Sequence, residues 1–319
     1  METFKAHIPA GIQAYLSGLI DYAGLFPPAQ LSMNDAVRNY ASYLADKDAW
    51  MLGRFIIPAV RLNELQPYLK LFTQKQRLDC SVIARKSPTD AEVLPYFKED
   101  LQVIRTFLAK AEGQVAVSMI ELPLPATPEP SLLKEIAEQS ASLAIRTFLE
   151  LPDESAGEQR LLKALDAIAH HNRTQDTTLG FKFRTGGVTA AAFPEPKQLA
   201  WILKACSDRG VPQKFTAGLH HPVRMYRSEV QTEMHGFLNV FTAAMLTRVH
   251  NLAPETITEI LKDQNSTDFT LSKTGAGWRE LGISVEEIKK LRKTAFISYG
   301  SCSFTEPLED LRTLGLLNE

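Results

Sequence analysis

A (β/α)8 barrel with a helical insertion between its seventh and eighth strands is the fold class this sequence predicts, and three observations predict it. Eight short runs rich in β-branched and aromatic residues alternate with longer stretches of helical periodicity. The runs recur at roughly even spacing except for one gap, Leu219–Thr294, of 76 residues. Composition is that of an ordinary globular chain, with 45% hydrophobic and 23% charged residues among 319. That balance excludes a mostly disordered chain, which lacks the apolar surface to offset the entropy of ordering.

The candidate strands begin near Leu19, Arg54, Asp79, Val115, Ala144, Leu179, Gln213 and Ala295. Between them, helices are predicted over Met33–Asp46, Leu62–Gln74, Ala91–Ala111, Ser131–Ser140, Glu158–His171 and Lys197–Asp208. Ser32 and Gly210 stand where a start and a stop signal belong. The alternation places residues 1–319 in one barrel domain and assigns the excess length to an insertion at about 225–294. Within it, Glu229–His250 carries apolar residues at steps of three and four and reads as a helix. Thr256–Lys262 and Val285–Lys293 read as short helices, and Asp268–Trp278 as a hairpin or loop. An insertion after strand seven is expected over the C-terminal mouth, as a lid or as a packing or dimerisation element.

Lys+Arg 35 against Asp+Glu 37 leaves a net charge of −2, which speaks against a nucleic-acid partner. Three separated cysteines, Cys80, Cys206 and Cys302, form neither a disulfide framework nor a zinc cluster and suit a reducing compartment. No signal peptide and no apolar run of about 20 residues is present, so a cytoplasmic protein without a membrane partner is expected. A homo-oligomer is left open.

Strand alternation carries the functional reading. In Phe181-Lys182-Phe183-Arg184 the phenylalanines share one face, suited to the layer between sheet and helices, so Lys182 and Arg184 point into the barrel. The same reading of Lys214-Phe215-Thr216 sends Lys214 inward. Buried cations need partners or a purpose. One reading is a structural ion-pair network; the other is a site, for which Asp21, Glu121 and Glu150 supply acid–base groups. Glu121 is expected on one face with Val115, Val117 and Met119. Two neighbouring lysines carry a specific implication: a nearby cation lowers an amine's pKa, and a neutral amine attacks a carbonyl to form a Schiff base. The iminium is an electron sink for making or breaking a carbon–carbon bond.

Four segments then resemble the deoxyribose-phosphate aldolases, class I barrel enzymes. Leu19-Ile20-Asp21-Tyr22 running to Phe26-Pro27 is similar to that family's opening Ile-Asp-His stretch and Lys-Pro loop. Lys182-Phe183-Arg184-Thr185-Gly186 resembles its Schiff-base strand, Lys214-Phe215-Thr216-Ala217-Gly218 its second-lysine strand, and Tyr299-Gly300-Ser301-Cys302-Ser303 its last strand. The resemblance implies Lys182 as imine former, Lys214 as the partner lowering its pKa, and Asp21 as a polar residue of the pocket. Phe26 and Tyr22 stand where the family has lysine and histidine, and strand four offers no aspartate, so Glu121 or Glu150 would have to move the proton.

For substrate binding, Gly186 and Gly187 after strand six, and Gly300, Ser301 and Ser303 after strand eight, either present N–H groups to an anion such as a phosphate or only make turns. Arg184 and Arg224 would add charge. His220 and His221 sit at the mouth, as loop ties or, with Glu121 and Glu150, as metal ligands. Cys302 is a buried strand residue or a nucleophile. The leading expectation is a Schiff-base lyase needing no cofactor and no metal, acting on a small anionic oxo-metabolite, a phosphorylated one included. A metal-dependent lyase or isomerase using Glu121, Glu150 and His220 or His221 is the second, and a non-catalytic barrel binding a ligand or partner the third.

Overall fold

The computed structural model describes residues 8–124, 128–151 and 157–317. Helix α1 (Ala10–Leu16) leads into β1 (Ile20–Tyr22), followed by α2 (Met33–Leu44), β2 (Leu52–Pro58) and β3 (Leu78–Ile83). Next come α3 (Val93–Lys110), β4 (Val115–Pro123), α4 (Pro130–Ala141), β5 (Arg146–Glu150) and α5 (Glu158–Thr174). Then β6 (Leu179–Arg184), α6 (Pro196–Arg209) and β7 (Gln213–Thr216) lead to the long connection. It holds β8 (Met225–Arg227), β9 (Thr232–Met234), α7 (Phe237–His250), α8 (Pro254–Lys262), β10 (Phe269–Leu271), β11 (Gly275–Trp278), β12 (Leu281–Ser284) and α9 (Val285–Thr294). Strand β13 (Phe296–Ser301) and α10 (Thr305–Thr313) follow it.

Strands β1 to β7 and β13 close into one barrel in the order β1-β13-β7-β6-β5-β4-β3-β2, and every ladder of the ring is parallel. Each predicted strand run is one of these eight. Ser32 accepts from the Asp35 N–H at the start of α2, and Gly210 ends α6 in the left-handed region, as their positions suggested. Two predicted helices differ. The stretch from Leu62 is wound as a 3-10 segment, Ala59–Leu71, around Pro67, which has no N–H to give an α-helical ladder. The stretch from Glu229 turns helical only at Phe237. Before that, Thr232–Met234 pairs with Met225–Arg227 as a hairpin, which Arg224 anchors through Glu233.

From α7 onward the connection packs on the outer helices of the barrel. Helix α7 lies outside the barrel, where Phe241 meets Phe215 of β7 and Tyr299 of β13. Helix α8 packs on α6 and α7, and the small sheet β10–β11–β12 packs on α1, α7 and α9. Gly11 of α1 donates its N–H to Ser272 O at 3.0 Å, which ties that sheet to the helix entering the N-terminal end of β1. Covered on several sides, α7 is buried continuously from Phe237 to Thr247 instead of along one stripe.

Inside the barrel the alternation holds with adjustments at three ladders: that of β1 with β2 gains a residue in β2, where Ile20 pairs with Leu52 and Tyr22 with Phe55, and two others move interior side chains. The ladder slips between Cys80 and Ser81 opposite Val117 and Met119, so Val115 and Val117 belong to the outer layer while Met119 and Glu121 face inward. The expectation of one shared face fails at that bulge. A second slip between Phe296 and Tyr299 lets both Ile297 and Ser298 contribute to the interior. Met119, Phe148 and Ile297 form an apolar plug. Arg54, Ser118 and Asp79 are hydrogen-bonded at the N-terminal side of it, and the charged layer described below occupies the mouth side.

The outer layer dominates stability. Phe241 is fully buried, with its ring 5.2 Å from Phe215, 6.1 Å from Tyr299 and 6.5 Å from Tyr15. Phe241→Ala is expected to cost about 3–5 kcal/mol, transfer and cavity terms together. A urea titration should show a lower midpoint at unchanged slope. Val60→Ala, at a side chain 65% exposed, should stay within about 0.5 kcal/mol.

Candidate active site

The charged layer is built by strand alternation. On β6, Phe181 and Phe183 enter the sheet–helix layer, and Lys182 and Arg184 take the opposite face. Parallel pairing sets Glu150 beside Lys182, and Lys182 beside Lys214. Lys182 Nζ lies 2.6 Å from Glu121 Oε2 and 2.7 Å from Glu150 Oε2. Lys214 Nζ lies 3.4 Å from Glu121 Oε1 and contacts Asp21 directly. Asp21, Glu121, Glu150, Lys182 and Lys214 therefore form one connected cluster. Arg184 stands at its outer edge, 3.6 Å from Glu150 and 51% exposed.

Several residues that the sequence reading passed over hold this cluster in place. Ser81 donates to Glu121 at 2.6 Å, and Ser298 donates to Asp21 at 2.6 Å. The Arg54 backbone N–H donates to Asp21 Oδ1 at 2.7 Å, and its guanidinium lies 3.6 Å from the same oxygen. Gly53 matters by close approach: a Cβ there would stand 2.3 Å from Asp21 Oδ1. Reading the inward positions of every strand, rather than only the charged ones, would have found Ser81. Ser298 was hidden by the β13 slip.

Charge distribution decides the resting protonation. Burial alone would favour a neutral Lys182, but the Glu121 and Glu150 carboxylates outweigh it and raise the pKa of the amine. This corrects the expectation that Lys214 lowers it: the charge of Lys214 is met by Asp21 and Glu121. Burial likewise works against the charged form of Glu121. Lys182, then Lys214, and the Ser81 hydroxyl outweigh it and hold the carboxyl at about 2. The layer at rest is a salt-paired network, in which removing one partner strands a buried charge.

A cavity of about 610 Å³ opens beside Lys182, Glu150 and Arg184 and continues between α5 and α6, past Leu161, Phe183 and Trp201. Of the two carboxylates on Lys182, Glu150 lines this cavity and is 12% exposed, whereas Glu121 is sealed. The geometry thus offers an amine, an inner carboxylate shared with a second amine, and an outer carboxylate facing open space. Such a set can exchange a proton with a bound carbonyl compound.

Other predicted site residues are engaged elsewhere. A Cβ on Gly186 would meet the Phe193 ring at 2.4 Å and Gly218 Cα at 2.8 Å, and one on Gly187 would meet Ala192 at 2.7 Å. These glycines serve close loop packing. Gly300 lies against Ile56, Ser301 accepts from the Ser303 N–H, and Ser303 accepts from the Glu306 N–H at the start of α10. Arg224 is nearly buried against Glu233 and His235 in the insertion. His220 and His221 face α10, with Nδ1 3.1 Å from Glu306 and 2.6 Å from Asp310 respectively. Glu121 and Glu150 meanwhile bind Lys182, so the residues of the metal-dependent alternative do not converge. Among the described residues, no cluster of three His, Cys, Asp or Glu side chains is arranged to hold a metal ion. Cys302 is half-buried, its Sγ 3.9 Å from His220 Nδ1. No helix among the described residues is long and apolar enough to cross a membrane.

No protein-family model matches the chain, and no match was found among the curated proteins. Among solved structures, the chain is similar to the tetrameric deoxyribose phosphate aldolase of Aeropyrum pernix, with 12% identity and a TM-score of 0.46. The alignment covers 95% of this chain and 93% of that one, and the resemblance is distant.

His220 gives the mouth a pH signature. Burial works to lower its pKa, but the Cys302 thiol and the Glu306 carboxylate outweigh this and raise it to about 9. A raised pKa stabilises the fold fully below the unfolded value of 6.5 and loses that contribution as pH climbs through about 9. Chemical denaturation between pH 6 and 10 should show stability falling across this window, by roughly 3 kcal/mol at most. His220→Gln should flatten the fall.

Proposed function

We propose that this chain is a Schiff-base carbonyl enzyme, a carbon–carbon lyase of the aldolase type, with Lys182 as the nucleophile. The observation that carries this reading is a buried lysine held between two carboxylates and a second lysine, beside a cavity wide enough for a small molecule. The Lys182 ammonium first passes a proton to a contacting carboxylate, and Glu150 is the one facing the cavity. The neutral amine attacks the substrate carbonyl carbon. The carbinolamine oxygen takes the proton back and leaves as water, so the iminium keeps one positive charge. Cleavage of the adjacent carbon–carbon bond sends its electron pair into the iminium, while Glu150 accepts the proton of the departing hydroxyl. Throughout, Lys214 holds Glu121 ionised, and Asp21 with Ser298 holds Lys214. Preorganised charge of this kind stabilises a developing iminium without reorganisation.

The substrate expected on this reading is a small anionic oxo compound, met at the cavity rim by Arg184. Borohydride reduction with a panel of aldehydes, ketones and oxo acids, followed by peptide mass mapping, tests it. An adduct on Lys182 that is absent in Lys182→Ala is the expected outcome. Because the resting amine is protonated, trapping should be slow near neutrality and rise with pH. Glu121→Gln removes one of the two carboxylates that raise the pKa, so its curve should move to lower pH. A folded protein that gives no adduct with any of these compounds across the pH range would leave the network a structural tie.

A further inference from the structure

The cavity beside Lys182 is lined by the C-terminal parts of β5 and β6 and by the elements that follow them. It runs outward between α5 and α6, and its far wall is Leu161, Phe181, Phe183, Trp201 and Ile202. Its lining also includes the buried Lys182, the exposed Arg184 and Lys197, and the carboxylates of Glu150, Glu158 and Glu195. A dianionic head such as a phosphate would meet those three carboxylates. A single carboxylate beside a carbonyl needs only Arg184 and Lys182, and leaves the remaining length of the cavity for carbon. Pockets of several hundred Å³ with an apolar wall and a few convergent polar groups bury most of a ligand of that kind.

We infer that the groove between α5 and α6 is a tail-binding compartment and that the ligand is a 2-oxo carboxylic acid with an aromatic or branched apolar side chain. The inference rests on the reading of Lys182 as the carbonyl-binding residue. The ligand's carboxylate sits at Arg184, its carbonyl carbon at Lys182, and its side chain along Phe183 and Trp201. Trp201 acts here as a specificity-determining wall, because a planar ring stacks on it at little cost in conformational entropy. The aromatic wall lies on the outer side of β6, the alternate face from Lys182 and Arg184, so the strand presents head and tail surfaces to one ligand across its C-terminal edge.

Calorimetric titration of the full chain with 3-phenylpropanoate, propanoate and 3-phenylpropanamide tests the compartment without any imine, since none of the three carries an aldehyde or ketone. The ring should tighten binding about tenfold or more over propanoate, and the amide should bind more weakly than the acid. Gln198→Trp, at an exposed position on the cavity wall, should fill the groove and abolish the advantage of the ring. Trp201→Ala should reduce it, with circular dichroism confirming that both variants fold. Equal affinity for propanoate and 3-phenylpropanoate, or an advantage untouched by both substitutions, would overturn the inference. Borohydride trapping on Lys182 reads the chemistry separately: trapping of short oxo acids with no preference for the ring would reject the compartment and keep the lyase reading. Ring-dependent binding without any trapping would do the reverse.

Discussion

The structure turns on one carboxylate shared by two buried ammonium groups. Glu121 has one oxygen 2.6 Å from Lys182 and the other 3.4 Å from Lys214, and all three side chains are sealed from solvent. An unpaired charge in that place would cost several kcal/mol, so each group's ionisation depends on the others. The surrounding hydroxyls belong to the same constraint. Ser81 fixes Glu121, Ser298 fixes Asp21, and Gly53 leaves the space that Asp21 occupies. The apolar cluster of Met119, Phe148 and Ile297 packs beneath them, Arg54 links Asp21 past it to Ser118 and Asp79, and the charged layer faces the C-terminal ends of the strands. In the parallel barrel that is where side chains from several strands can converge on one ligand.

The same arrangement sets a chemical tension. Carboxylates that make burial of Lys182 tolerable also keep it protonated. A resting ammonium does not attack a carbonyl, so activation has to be local, by proton transfer to a carboxylate already in contact. Two acceptors stand at comparable distance, and they differ in access: Glu121 is locked by Lys214 and Ser81, whereas Glu150 looks into the cavity. On the proposed reading, this division suits Glu121 to holding charge and Glu150 to exchanging protons with substrate.

Much of the barrel was legible in the sequence because its strands are short, apolar on at least one face and separated by helical periods. Lys182, Arg184 and Lys214 could be assigned to the interior since phenylalanines at alternate positions mark the outer layer. The bulges could not be read. An extra residue near Ser118, and another near Ile297, changes the parity of a strand with no compositional signal. The partners of His220, His221 and Arg224 were also out of reach, because they depend on where α10 and the β8–β9 hairpin come to lie. The pKa direction of Lys182 was missed because the reading weighed Lys214 on one neighbouring strand and not Glu150 on the other, and because Glu121 reaches Lys182 from two strands away. Helix α7 is buried on all sides between the barrel wall, α8 and the small sheet, which apolar residues at steps of three and four understated.

The most direct measurement is the titration of Lys182 itself, followed by carbon NMR in protein carrying lysine labelled at Cε, with the resonance assigned by its loss in Lys182→Ala. The shared-carboxylate account predicts that Lys182 stays an ammonium beyond its ordinary value of 10.5 in the ligand-free protein. A midpoint below 10.5 would contradict it, because Lys214 and burial would then outweigh Glu121 and Glu150.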